Sequence, residues 1–239
     1  MNLILFDRAE LAAPLAREDP RAVHVCEVLR RKVGETFDAG VINGPRGKGS
    51  VVASDEKKLT LAFTWTVAPA PLVPITLLVG LPRPQTARDI LRDATTLGVQ
   101  AIHFVLTEKC EPNYAQSSLW SSGEWRRYLI AGAAQAFVTC IPDISVRTPL
   151  VDLLPQLPLG SARVALDNYE AYVPLGRARI GNDNSAVIAI GAERGWSARE
   201  RDYLRASNFE LAHLGARVLR TETAVVVAVA LIRDRLGTF

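Results

Sequence analysis

The stretch "LGARVLRTETA", Leu214–Ala224, carries Arg217, Arg220 and Glu222 within six residues, between a glycine and a long apolar run. A simple turn needs no such density of charge. A guanidinium placed there can hold a phosphate or stabilise an anion that develops during a reaction. A carboxylate two residues on can orient that guanidinium, take a proton, or favour the start of a helix through its dipole. Thr221 is a candidate N-cap for such a helix. The plain alternative is a capped helix with a surface ion pair. Two further stretches, "LDNYEA" and "IGAERGWS", have the same look of a loop that follows a buried strand.

The elements around these loops alternate. "ITLLVG", "AIHFVL", "ISVRT", "RVALD", "AVIAIGA" and "FELAHLG" read as strands. "QTARDILRDATTLG" reads as an amphipathic helix, with Ala87, Ile90, Leu91, Ala94 and Leu97 at helical spacing and Gly98 as its stop. "GEWRRYLIAGAAQAFV" reads as another helix. In "SARERDYLRAS", Ser197 and Glu200 form a capping box. The segment Glu222 to Leu236 is valine-rich, yet its length, Arg233 and Arg235 near its end and Gly237 after it predict a buried helix. This order implies an α/β domain with a mostly parallel sheet, whose ligands bind beyond the carboxyl ends of the strands. The pattern by itself predicts an open doubly wound sheet.

Upstream the grammar differs. "ETFDAGVI", "KGSVVAS" and "KLTLAFTW" read as short strands separated by "NGPRGKG" and "SDEKK". "PRAVHVCEVLR" predicts a short helix with Val23, Val25, Val28 and Leu29 partly on one face. A small β-barrel is the economical reading. Pro69, Pro71 and Pro74 in "TVAPAPLVPIT" mark a linker between two domains.

Several function classes fall away. Neither G-x-G-x-x-G, nor a P-loop, nor a G-x-S-x-G elbow occurs. Cys26, Cys110 and Cys140 form no CxxC pair, and His24, His103 and His213 are isolated, so no metal site is expected. His103 and His213 read as satisfied core histidines. The net charge of +3 permits a nucleic-acid partner without requiring one. "MNLILFDRAE" is too short in apolar length for a signal peptide, and the nine-residue "AVVVAVALI" is far below the roughly 20 residues of a membrane span. A cytoplasmic protein is expected.

"IAIGAERGWSARE" followed by "LAHLGARVLRTETAVVVA" resembles the signature pair of the RsmE-type ribosomal RNA methyltransferases of the SPOUT superfamily. "HVCEVLRRKVGETF" resembles that family's N-terminal PUA-like barrel, and "ILRDATTLGVQAIHFVLTEKC" its first helix and second strand. The resemblance implies a PUA-like RNA-binding β-barrel over 1–68 and a SPOUT-type α/β domain with a C-terminal trefoil knot over 69–239. It implies a homodimer. The implied reaction moves a methyl group from S-adenosylmethionine to N3 of a uridine in 16S ribosomal RNA of the small ribosomal subunit.

For the cofactor, the glycines Gly191, Gly195 and Gly215 allow close backbone approach, and Leu166, Ile190, Leu214, Val218 and Leu219 supply walls. By resemblance Ala192, Glu193 and Ala224 join them, and Arg220 and Glu222 become the catalytic pair. Arg30, Arg31, Lys32, Arg46 and Lys48 are candidate RNA-phosphate contacts. Arg88 and Arg92 either extend that track or pair with nearby acids.

The chain also departs from the family pattern. "GAERG" stands where the family usually has "GPEGG", which sets Arg194 beside the expected pocket to contact or obstruct a ligand. Asp93 and Thr96 replace a lysine and a glutamate. "AAQAFVTCIP" lacks polar residues expected on the substrate side. The departures leave open a homologue that binds RNA without catalysis or with altered specificity.

Overall fold

The computed structural model describes residues 3–180 and 184–238. The chain forms two compact units, Met1–Pro71 with Ala133–Ile141 and Leu72–Gly132 with Pro142–Phe239.

The first unit holds β1 (Ile4–Phe6), β2 (Leu15–Ala16), α1 (Pro20–Val23), β3 (Thr36–Val41), β4 (Arg46–Ser54) and β5 (Lys58–Val67). Its sheet runs β1-β3-β4-β5-β2, so β1 and β2 are edges and the sheet is a curled half-barrel rather than a closed barrel. Phe37, Ala39 and Val41 alternate inward along β3, and with Phe6, Val25 and Leu59 they contribute to its core. α1 gives way to a π turn over His24–Val28. The wider turn breaks the expected apolar face: Val25 is buried, but Val28 is 64% exposed.

The segment after Gly132 belongs to this unit. Thr139 Oγ1 donates to Gly44 O at 2.6 Å, and Ile141 N donates to Asn43 Oδ1 at 3.0 Å. Phe137 adopts φ 59°, with the Arg46 guanidinium 5.1 Å from its ring centroid. The departures at Ala134, Phe137 and Val138 therefore lie in a segment that packs the first unit, and none of the three lines a described cavity.

The second unit contains β6 (Val73–Gly80), α2 (Pro84–Thr96), β7 (Val99–Leu106), α3 (Ser118–Ser121), α4 (Trp125–Gln135, whose end from Ala133 belongs to the first unit) and β8 (Asp143–Pro149). It continues with α5 (Leu150–Leu153), β9 (Ala162–Leu166), β10 (Val173–Pro174), β11 (Ala186–Ile190), α6 (Ala198–Ala206), β12 (Glu210–His213) and α7 (Thr221–Arg235). Among the described residues its seven strands are all parallel, in the order β10-β12-β9-β11-β6-β7-β8. β11, "AVIAI", is buried at every residue, as a strand covered on both faces must be. Pro74 lies inside β6 rather than in a linker. The ladder to β7 shifts register between Val73 and Thr76, which accommodates a residue with no N–H to donate.

The valine-rich C-terminal segment is a helix. Ala224, Val225, Ala228, Val229 and Ile232 form its buried stripe. At its end Arg233 Nη1 donates to Leu97 O at 3.1 Å, and Arg235 donates to Leu175 O and Ala178 O. Gly237, at φ 62°, supplies the left-handed stop.

Candidate functional site

Neighbouring strands β12, β9 and β11 end at His213, Leu166 and Ile190. The loops that leave these carboxyl ends enclose a cavity of about 250 Å³. Leu166 lines it from the first loop; Ile190, Gly191, Ala192, Glu193 and Gly195 line it from the second. Leu214, Val218 and Leu219 line it from the third, and Ala224 from the first turns of α7. Of the residues expected here only Gly215 stands outside the wall. It shapes the loop instead, at φ 103°, with its N–H donated to His213 Nδ1 at 3.0 Å.

The second loop folds tightly on itself. A Cβ on Gly191 would lie 2.8 Å from Gly195 Cα, and one on Gly80 would lie 2.4 Å from Ala192 N. Gly191→Ala is therefore expected to force the loop open. Overpacking of this kind costs about 1–3 kcal/mol, a loss of roughly five- to a hundredfold in affinity for a ligand of this cavity. Calorimetric titration with S-adenosylhomocysteine checks this, and unchanged affinity contradicts it.

One contact joins the first two loops, and others tie each of them to neighbouring elements. Trp196, fully buried, donates Nε1–H to Leu166 O at 3.0 Å. Lys109 Nζ donates to Trp196 O at 2.8 Å and to Arg194 O at 3.3 Å. Asp167 Oδ2 accepts from Arg201 Nε of α6 at 2.7 Å, with side-chain exposures of 1% and 8%. Asp167 Oδ1 also accepts the N–H groups of Tyr169 and Glu170 at 2.8 and 2.6 Å. Burial pushes the Asp167 carboxyl up, but the hydrogen bonds from Arg201, Glu170 and Tyr169 outweigh it and hold the group below the usual carboxylate range. The Arg201 guanidinium also stands 5.2 Å from the Tyr169 ring centroid. The expected capping box opens α6: Ser197 and Glu200 exchange both bonds.

Asp167, Asn168, Tyr169 and Arg217 line the cavity without having been assigned to it from sequence. Asp167 had one readable signal, an acidic residue directly after a buried strand. Arg194 lines the cavity too. Its guanidinium is ion-paired with Glu111 at 3.2 Å, and its side chain is 70% exposed.

A second cavity, about 360 Å³, is lined by Arg83, Thr86, Arg220 and Glu222, and by four residues shared with the first: Glu193, Val218, Leu219 and Thr221. Arg220 and Glu222 thus face this second space and not the first. Neither side chain makes a hydrogen bond or ion pair with another described residue, so the surface-pair alternative is absent. Glu193 Oε1 accepts the Arg83 N–H at 2.9 Å, which ties the second loop to the start of α2. Thr221 is not the N-cap. Ala224 N donates to Arg220 O at 2.8 Å, so the helix begins one residue earlier, with extended Arg220 as its cap.

The basic residues of the first unit divide. Arg31 and Lys48 line one open cavity with Leu29 and Phe37, where Lys48 Nζ pairs with Asp38 at 2.7 Å. Arg30 and Lys32 are exposed, and Arg46 lies over Phe137. In the second unit Arg88 pairs with Glu124, and Arg92 with Asp89 and Asp93. His103 Nδ1 lies 2.6 Å from Ser145 Oγ. No group of three or more metal-binding side chains occurs among the described residues, and no described helix is long and apolar enough to cross a membrane.

A family model described as "RNA methyltransferase domain" matches residues 68–233. The "Ribosomal RNA small subunit methyltransferase E" of Treponema pallidum is 36% identical, over 97% of this chain and 90% of its own. "Ribosomal RNA small subunit methyltransferase E 1" of Borreliella burgdorferi is 28% identical over 99% of both. The fold matches the crystal structure of the Neisseria gonorrhoeae methyltransferase E bound to S-adenosyl methionine, with TM-score 0.75, 21% identity and 98% coverage of both chains. It also matches that of a probable rRNA-methyltransferase from Porphyromonas gingivalis, with TM-score 0.79, 19% identity and 98% coverage of both. The chain belongs to the RNA methyltransferase family, among the relatives of ribosomal RNA small subunit methyltransferase E.

Proposed function

We propose that the chain transfers a methyl group from S-adenosylmethionine to N3 of a uridine in 16S ribosomal RNA. One observation carries this reading: two cavities share the wall Glu193, Val218, Leu219 and Thr221, and the unpaired Arg220 and Glu222 face only the second. Such a pair of spaces suits a donor in one and an acceptor base in the other.

The first cavity fits the cofactor chemically. Leu166, Ile190, Leu214, Val218, Leu219 and Ala224 offer apolar walls for a bent, partly apolar ligand that has no phosphates. Gly191 and Gly195 let the backbone come close. When bound, S-adenosylmethionine supplies an electrophilic methyl group. Arg220 then stabilises the charge that grows on the uracil as its N3 proton leaves, and Glu222 takes that proton or orients the arginine.

In this reading residues 1–68 form a PUA-like RNA-binding domain that uses Arg30, Arg31, Lys32, Arg46 and Lys48 for phosphates. Residues 69–239 form a trefoil-knotted SPOUT domain, and two copies pair as a dimer that works in the cytoplasm on the small ribosomal subunit. The test uses purified protein, methyl-labelled S-adenosylmethionine and unmodified 16S ribosomal RNA within small subunits. Label on N3 of one uridine is expected. No label, or label on another atom, overturns the proposal.

A further inference from the structure

The wall between the two cavities contains one hydrogen-bonding group with no role so far. Of its four residues, Val218 and Leu219 offer no side-chain donor, and Glu193 is engaged by the Arg83 N–H. Thr221 is left. It is 8% exposed, lines both cavities, and its hydroxyl has no hydrogen-bond partner among the described residues. Thr86, also buried in the second cavity, differs: its Oγ1 accepts from Arg83 Nε at 3.1 Å. Most of the residue is buried, but its hydroxyl is not sealed among protein atoms, so it opens to the cavities and is free to bond a bound molecule. The usual excuse for a threonine at this place, capping the helix, does not apply, because Arg220 is the cap and Thr221 is the first residue of α7.

We infer that Thr221 is a catalytic residue whose hydroxyl donates a hydrogen bond to a carbonyl oxygen of the acceptor base, a role that rests on the uridine reading above. Loss of the N3 proton to a carboxylate such as Glu222 leaves its electron pair on the base, shared between N3 and the two flanking carbonyl oxygens. A donor at one of those oxygens is worth more after the proton has left than before, which is the condition for catalysis rather than mere binding. Thr221 keeps its own proton throughout. Arg220, the preceding residue, faces the same cavity with a second donor. The two are not redundant: the arginine is exposed and charged, whereas the threonine is a largely buried residue of the wall shared by both cavities.

Thr221→Val keeps the shape and removes the hydroxyl; Thr221→Ser keeps the hydroxyl. Three quantities are read for each: thermal midpoint, S-adenosylhomocysteine affinity by calorimetry, and methyl transfer to 16S ribosomal RNA at saturating substrates. The expected result for Thr221→Val is a midpoint close to wild type, affinity within about threefold, and transfer slowed on the order of a hundredfold. Thr221→Ser is expected to restore transfer to within about tenfold of wild type. Wild-type transfer by Thr221→Val overturns the inference, as does a midpoint and affinity that fall in step with the rate. If the wild-type product is methylated at an atom other than uridine N3, the uridine reading fails. The comparison of valine with serine still decides whether the hydroxyl acts in transfer.

Discussion

Arg220→Ala is expected to slow methyl transfer by on the order of a thousandfold, the upper range for loss of a donor that stabilises a developing anion. Cofactor affinity should stay within about tenfold, a change of roughly 1.4 kcal/mol or less. The separation of the two effects comes from the geometry: Arg220 lines the second cavity and not the first. Its side chain pairs with no described residue, so alanine removes no contact that holds the fold. Its backbone is in an extended conformation that alanine also adopts. Single-turnover transfer and calorimetry with S-adenosylhomocysteine separate the two readings. Transfer at the wild-type rate would show that the arginine takes no part in the chemistry.

The second large effect is on stability. Arg201→Ala leaves the Asp167 carboxylate, 1% exposed, without its charged partner. Removal of one member of a buried pair costs about 3–5 kcal/mol. Each kcal/mol lowers the midpoint by about 2–4 °C for a protein of this size. Lysine should not rescue it, because the guanidinium fork serves Asp167 and Glu170 together. The folded-state pKa of Asp167 is lowered, so the sign follows directly. Its stabilisation is fully present above the unfolded value of about 3.9 and is lost as the pH falls through the lower folded value. The midpoint gap between wild type and Arg201→Ala should therefore narrow from about pH 7 to about pH 3. A gap that stays constant, or a variant as stable as wild type at neutral pH, contradicts the assignment. Glu170 is 40% exposed and Arg205 43%, so their pair is expected to add little.

Much of this site is legible in the sequence. Loops at the ends of buried parallel strands are where such folds bind ligands, and "VALD", "AIGA" and "AHLG" marked them. The valine-rich helix was legible through its length and its Arg and Gly ending, against β-propensity, because burial of a stripe overrides intrinsic preference. Local rules failed where a partner lies far along the chain. Asp167 and Arg201 are separated by 34 residues, and no periodicity joins them. Thr221 was misread by one position, because a threonine before a helix looks like a cap whether or not the turn closes there. The departures at Phe137 and Val138 read as losses at a substrate site. Phe137 packs under Arg46.

The most direct measurement is mass spectrometry of nucleosides from 16S ribosomal RNA, in cells with and without the gene for this chain. N3-methyluridine should be present with the gene and absent without it. Wild type should restore it, and Arg220→Ala should not. An unchanged N3-methyluridine level on loss of the gene would contradict the account.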